Sequence, residues 1–219
     1  MTMPPRVAVL DYEMSNLRSA TKALERLGAS VRVARAPEEV EGAEAVVLPG
    51  VGHFGEAMRR IRRQRLDRAV HDAVRDGLPV LGICLGMQLL FEESEESPGE
   101  RGLSVLPGAV RRLRTGRKVP HIGWSRVEWE PGSPLGPDAG DPVAPVYYFV
   151  HSFGCEPAEP GLSLGSADHG VAFCAAAGRG RVMGVQFHPE KSSRAGLGLL
   201  GRWLSRVAAP ARLPVDDAA

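Results

Sequence analysis

The chain has 219 residues, 43% of them apolar, with 27 Lys and Arg against 26 Asp and Glu. That size and composition suit one compact domain with a sizeable core, and the near-zero net charge offers no electrostatic footprint for nucleic acid or an anionic membrane surface. No uninterrupted apolar run approaches the ~18 residues of a membrane span, and Asp11 precedes any long apolar region, so neither a span nor a secretory leader is read and a cytoplasmic setting is expected.

Arg6–Leu10 (RVAVL) predicts a short buried strand, after which Leu17, Ala20, Leu24 and Leu27 recur at helical spacing up to Gly28, a C′ stop. Ser30–Ala34 is a second strand and Ala45–Leu48 a third, ending in the glycine-rich loop PGVGHFG at Pro49–Gly55. A helix follows with Met58, Ile61, Leu66, Ala69, Val70, Ala73 and Val74 toward the core. Its arginines are interleaved with Glu56, Asp67, Asp72 and Asp76, the pattern of a solvated face rather than of a phosphate site. Leu78–Ile83 is the next strand, and Leu85–Phe91 opens another helix with Cys84 at the join. Alternating strands and helices with short connections imply an open, largely parallel sheet covered on both faces.

From Ser104 the pattern changes. Val105–Leu113, Trp124–Trp129, Tyr147–Val150 and Val182–Phe187 are strand-like, separated by Pro/Gly turns such as Pro131–Pro137, and Ala195–Val207 returns to helical spacing. Mixed or antiparallel strands are therefore expected to extend the same sheet, giving a single α/β domain over residues 1–207 and a frayed tail over 208–219.

Gly82-Ile83-Cys84-Leu85-Gly86 has the form G-x-C-x-G between a strand and a helix, the cysteine counterpart of the G-x-S-x-G turn of α/β hydrolases. Glycines two before and two after the cysteine put no Cβ into a crowded bend, and the thiol is pushed out at the carboxyl end of the sheet. A helix starting at Leu85 directs its N–H groups at the sulfur and favours thiolate. Cys155 and Cys174 lack that context; three cysteines without a C-x-x-C support neither a disulfide framework nor a zinc ribbon.

A thiol nucleophile needs a base and a group to orient it, and Gln186-Phe187-His188-Pro189-Glu190 offers both. Extended-chain alternation after the apolar strand puts His188 and Glu190 on one side, with Pro189 stiffening the pair. An acyl-transfer site also needs N–H donors for the developing oxyanion, which the Pro49–Gly52 loop is suited to supply. Gly50, Gly52 and Gly55 also spell G-x-G-x-x-G, but a dinucleotide site needs an acidic residue at the end of the following strand, and Asp67 and Asp72 fall in a helical pattern instead. His53, His71, His121, His151 and His169 show no metal-like spacing, and each alone reads as structural or surface.

LPGVG, GICLGMQLL and VQFHPEKS, in this order, resemble the class I (triad-type) glutamine amidotransferase family. DYEMSNLRSA (Asp11–Ala20), PHIGWSRV (Pro120–Val127) and YYFVHSF (Tyr147–Phe153) are similar, within it, to the glutaminase subunits of imidazole glycerol phosphate synthases, and the resemblance runs from about Arg6 to Val207. It implies an open, flavodoxin-like α/β sheet and hydrolysis of glutamine to glutamate and ammonia through a cysteine thioester, with Cys84, His188 and Glu190 matching the triad. It further implies that Val51 and Gly52 lie on the oxyanion strand and that Gln88, Ser152 and Phe153 hold glutamine. Asn16, Trp124, Tyr148 and Lys191 match positions that face or gate a (β/α)8-barrel cyclase partner, to which the ammonia passes. No cofactor or metal is implied. Glu13 and Ser15 stand where the family commonly has glycine, which tells against a positive φ in that loop.

Three rivals remain at this level: a glutaminase serving another synthase, a stand-alone cysteine amidase, and a catalytically silent subunit that only holds a barrel partner. PHIGWSRV and DYEMSNLRSA tell against the first, and the intact triad residues against the last.

Overall fold

In a computed structural model, residues 3–138 and 145–207 are described. The tail expected to fray over 208–219 lies outside them. The elements run in chain order as β1 (Arg6–Leu10), α1 (Leu17–Arg26), β2 (Ser30–Ala34), β3 (Ala45–Gly50), α2 (Phe54–Arg63), α3 (Leu66–Arg75), β4 (Val80–Cys84), α4 (Leu85–Leu89), β5 (Glu93–Ser94) and β6 (Gly108–Arg112). They continue with β7 (His121–Arg126), β8 (Glu128–Trp129), β9 (Val146–His151), β10 (Phe153–Pro157), β11 (Ser163–Asp168), β12 (Ala172–Arg179), β13 (Val182–Val185) and α5 (Ser193–Val207).

The main sheet has the order β2-β1-β3-β4-β13-β12-β10-β6-β5, with β11 and β8 attached beside β12. Pairing is parallel from β2 through β13 and antiparallel across β13/β12, β12/β10 and β10/β6. The expected architecture is thus present: one α/β domain whose parallel half is extended by antiparallel strands. Alternation along β1 explains the layering. Ala8 and Leu10 pack with Met58, Ile61 and Val70 of α2 and α3 on one face, while Val7 and Val9 pack with Leu24, Leu199 and Trp203 of α1 and α5 on the other.

Three local expectations are corrected. The stretch read as one helix from Met58 to Val74 is two, because Arg65 adopts a left-handed φ of 58° between α2 and α3. Ile61 and Leu66 are five residues apart with only Arg and Gln between them, so a continuous helix would rotate Leu66 off the core stripe; the break resets the phase and buries both. The arginines of this region do form a solvated face, pairing with Glu56, Glu13, Glu38 and Glu100. The strand expected over Val105–Leu113 shortens to β6, and Trp124–Trp129 divides into β7 and β8 around the buried Val127. Strands β10, β11 and β12 went unread because their Gly, Ala, Ser and Cys content carries little β propensity.

β7 and β9 form a separate antiparallel ribbon in which His121 faces His151 and Trp124 faces Tyr148. Its inner face buries Tyr147 and Phe149, while Ile122, Trp124 and Val146 remain exposed on the outer face. Among the described residues no helix is long and apolar enough to cross a membrane.

Candidate active site

Cys84 ends β4 and begins α4 with φ 55° and ψ −111°, a conformation that a residue with a side chain adopts only where its surroundings enforce it. The enforcement is steric: a Cβ on Gly86 would sit 1.7 Å from the Leu48 carbonyl oxygen, and one on Gly82 would sit 2.6 Å from the Gly86 carbonyl oxygen. The bend can close only because both flanking positions lack side chains, as the spacing predicted. The helix after it is shorter than expected. α4 ends at Leu89, and Leu90 and Phe91 continue as a tight turn with N–H bonds to Met87 and Gln88. So short a helix offers the sulfur its first N–H groups more than an extended dipole.

His188 follows β13, and its Nδ1 lies 2.8 Å from Glu190 Oε1, both side chains being almost fully buried. The two meet on one side as expected but for a different reason: Pro189–Lys191 forms a single 3-10 turn that curls Glu190 back under the ring. Burial alone would lower the imidazole's pKa, but hydrogen bonding and charge from Cys84 and Glu190 outweigh it and raise it to about 9. With Nδ1 committed to Glu190, the buried Nε2 is the ring nitrogen left to exchange a proton with the Cys84 thiol. Ser192, which the sequence reading passed over, fixes this turn: its hydroxyl donates to His188 O at 2.6 Å and accepts from Tyr148 N at 2.9 Å, while His188 N donates to Tyr148 O at 2.9 Å.

Gly50 is the register partner of Cys84 across β3/β4, so the loop carrying Val51 and Gly52 starts beside the nucleophile. Gly52 has φ 108°, open to glycine alone, and the Val51 N–H donates to Met14 O at 2.9 Å rather than facing Cys84. The loop that supplies Met14 does contain a positive φ, at Glu13 (65°), in spite of the missing glycine. Glu13 N–H donates to Asp11 Oδ1 at 2.9 Å and Arg60 pairs with the Glu13 carboxylate at 2.9 Å, so local bonds stabilise what glycine would allow freely; Ser15 needs no such conformation. Tyr12 is a second residue without a sequence signal. Its ring is fully buried, its hydroxyl has no hydrogen-bond partner among the described residues, and it fills the space that a Cβ on Gly50 would take. Burial, with a contribution from Cys84, raises its pKa.

Gln88 Nε2 donates to Phe153 O and to Gln186 Oε1, each at 3.0 Å, and Gln186 Nε2 lies 3.8 Å from Cys84 Sγ. Gln88, Phe153 and the adjoining Ser152 are therefore assembled beside the nucleophile. Asn16, Trp124 and Lys191 are exposed and Tyr148 is half-buried. Asn16 makes no side-chain cap on α1, and Trp124 is no core aromatic but leans edge-on against Tyr148 at 5.9 Å. α1 packs on the Pro189–Lys191 turn and that turn on β9, so the elements that carry Asn16, Lys191 and Tyr148 are neighbours, and Trp124 leans on Tyr148. The other two thiols are set apart: burial pushes Cys155 well above its ordinary pKa and raises Cys174 to about 11.

The family model for glutamine amidotransferase class-I matches residues 8–200. The chain belongs to the class-I glutamine amidotransferase family. Among relatives of this class-I chain, the imidazole glycerol phosphate synthase subunit HisH of Moorella thermoacetica is 46% identical over 195 residues, covering 89% of this chain and 91% of that one. The protein of the same name from Bacillus subtilis is 45% identical over 208 residues, 92% of this chain and 97% of that one. A solved glutamine amidotransferase superposes with a TM-score of 0.72 at 25% identity, covering 92% of this chain and 98% of that one. The structure of PurLQS from Thermotoga maritima shares the class-I fold, with a TM-score of 0.75 at 20% identity over 94% of this chain and 100% of that one.

Proposed function

We infer that the chain is the glutaminase subunit of an imidazole glycerol phosphate synthase. Cys84 attacks the side-chain amide carbon of glutamine while His188 Nε2 takes the thiol proton, and Glu190 holds the ring for that transfer. The C–N bond then breaks, and the proton on His188 goes to the departing nitrogen, releasing ammonia and leaving a glutamyl thioester. Water, deprotonated by the same imidazole, attacks the thioester; the C–S bond breaks, the proton on His188 returns to the Cys84 sulfur, and glutamate leaves. Gln88 and the Ser152–Phe153 backbone hold the substrate, and Val51 and Gly52 supply the oxyanion donors.

The ammonia passes to a (β/α)8-barrel cyclase, where it converts a phosphoribulosyl-formimino carboxamide ribotide to imidazole glycerol phosphate and an aminoimidazole carboxamide ribotide. Asn16, Trp124, Tyr148 and Lys191 face or gate that partner, and the three free thiols suit a reducing, cytoplasmic setting. The observation that carries the reading is the His188–Glu190 pair at 2.8 Å, with Nε2 left to the thiol on a glycine-flanked bend. The test is Cys84→Ala in the complex: glutamine-dependent synthesis disappears, while the cyclase still works with ammonium salts at alkaline pH. Wild-type glutamine consumption by Cys84→Ala would overturn the assignment.

A further inference from the structure

Three histidines outside the triad, scattered at positions 121, 151 and 169, are gathered by the fold. His121 stacks on His169 at 4.2 Å and lies opposite His151 in the β7–β9 ribbon. His121 Nδ1 is 3.2 Å from His151 Nε2, His121 Nε2 is 3.0 Å from Ser125 Oγ, and His151 Nδ1 is 2.8 Å from Phe153 O.

These contacts fix the protons. A carbonyl can only accept, so His151 carries its hydrogen on Nδ1. In the neutral ring its Nε2 must then accept from His121 Nδ1–H, and the bare His121 Nε2 accepts from the Ser125 hydroxyl. Neutrality is enforced by surroundings: burial lowers His151 to about 3 and His121 to about 4, with His169 and Arg117 adding repulsion on His121 and His169 and His188 on His151. Phe149 and Phe173 close the remaining sides. All three bonds thus run one way, from Ser125 to the carbonyl of Phe153.

That carbonyl has two donors, His151 from the ribbon and Gln88 from α4, the short helix that follows Cys84. We propose that His121 and His151 are positioning residues for glutamine hydrolysis, setting the Phe153 carbonyl, and with it the Ser152–Phe153 backbone, against the catalytic helix. The proposal rests on the reading of that backbone as the glutamine holder. It also gives the ribbon a purpose beyond packing. Ile122 and Trp124 project outward from the strand whose inward residues are His121 and Ser125, so the chain of bonds runs along the inner side of a ribbon whose outer side is exposed.

The test uses the chain in complex with its cyclase partner, comparing wild type with His151→Leu, His151→Asn and His121→Phe. An asparagine amide nitrogen can occupy the place of Nδ1 and keep the bond to Phe153 O; leucine cannot. His151→Leu is expected to raise the KM for glutamine about tenfold or more with a smaller change in kcat, His151→Asn to recover most of that loss, and His121→Phe to fall between. Ammonium-dependent synthesis, which bypasses the glutamine site, stays at the wild-type rate if each variant is folded and docked. A wild-type KM in His151→Leu, or no advantage of Asn over Leu, would overturn the proposal. Should the leucine variant fail to fold, 15N imidazole spectra of the unmodified complex decide: Nδ1–H on both rings at neutral pH supports the arrangement, and Nε2–H on His151 sinks it. A wild-type complex that does not hydrolyse glutamine would instead remove the functional reading itself, whatever the tautomers.

Discussion

The backbone N–H of Val51 donates to the carbonyl of Met14 at 2.9 Å. A donor on the loop beside Cys84 is therefore turned toward the segment between β1 and α1 and, on the proposed reading of that loop as the oxyanion donor, the hole is short of one N–H. Loss of one such donor costs about 10² to 10³ in rate. An incomplete hole also has a chemical use, because ammonia released into neutral water is mostly protonated and has no lone pair for the next step. Glutamate production by the chain alone is expected to be at least about 10² below that of the complex carrying a nucleotide substrate analogue. Equal rates alone, with cyclase, and with cyclase plus analogue would remove this account.

The segment holding Met14 is itself held by Glu13, whose carboxylate pairs with Arg60 at 2.9 Å while its backbone keeps φ at 65°. Glu13→Ala removes the ion pair and leaves the strained conformation held by the Glu13 N–H bond to Asp11 Oδ1 alone. An exposed pair contributes little, so the isolated chain's glutaminase rate should rise by a few fold at most. The fully activated complex should not change. A slower isolated chain would show that Glu13 does not stabilise the resting loop.

Only one of the three thiols combines a bend at a helix start with a nearby base. A glutamine analogue bearing an electrophile at the amide position should label Cys84 and spare Cys155 and Cys174, whose thiols are held protonated by burial. Peptide mapping by mass spectrometry distinguishes this from equal labelling of all three, which would remove the special status of Cys84.

The histidines titrate in opposite directions, and stability should follow both. His188 is raised from 6.5 to about 9, so its stabilising contribution is complete below about pH 6.5 and is lost as pH rises through 9. His151 and His121 are lowered from 6.5 to about 3 and about 4; their contribution is complete above pH 6.5 and is lost as pH falls toward those values. Urea unfolding across pH 4 to 9 should therefore weaken at both ends. His151→Asn should flatten the acid limb alone. An unchanged acid limb in that variant would mean that His151 is not kept neutral by the fold.

The sequence by itself determined what rests on neighbours along the chain. β1 and β2 were legible residue for residue because short stretches rich in valine between turn signals favour a strand. Cys84 was legible because glycines at two before and two after are a local steric requirement, and His188 with Glu190 because two positions apart they can meet with no help from the rest of the fold. The tertiary structure decided whatever depends on direction or on partners far apart in the chain. The break at Arg65 appears only when Ile61 and Leu66 must reach the same core. The 3-10 turn under His188 depends on Ser192 and Tyr148, 44 residues apart. Tyr12 meets Gly50, His121 meets His151, and both meetings depend on strand register that no local pattern encodes. The aim of the Val51 N–H is the clearest case: glycine on one side of it leaves the peptide free to turn, and only the carbonyl that happens to be opposite, that of Met14, settles which way it points.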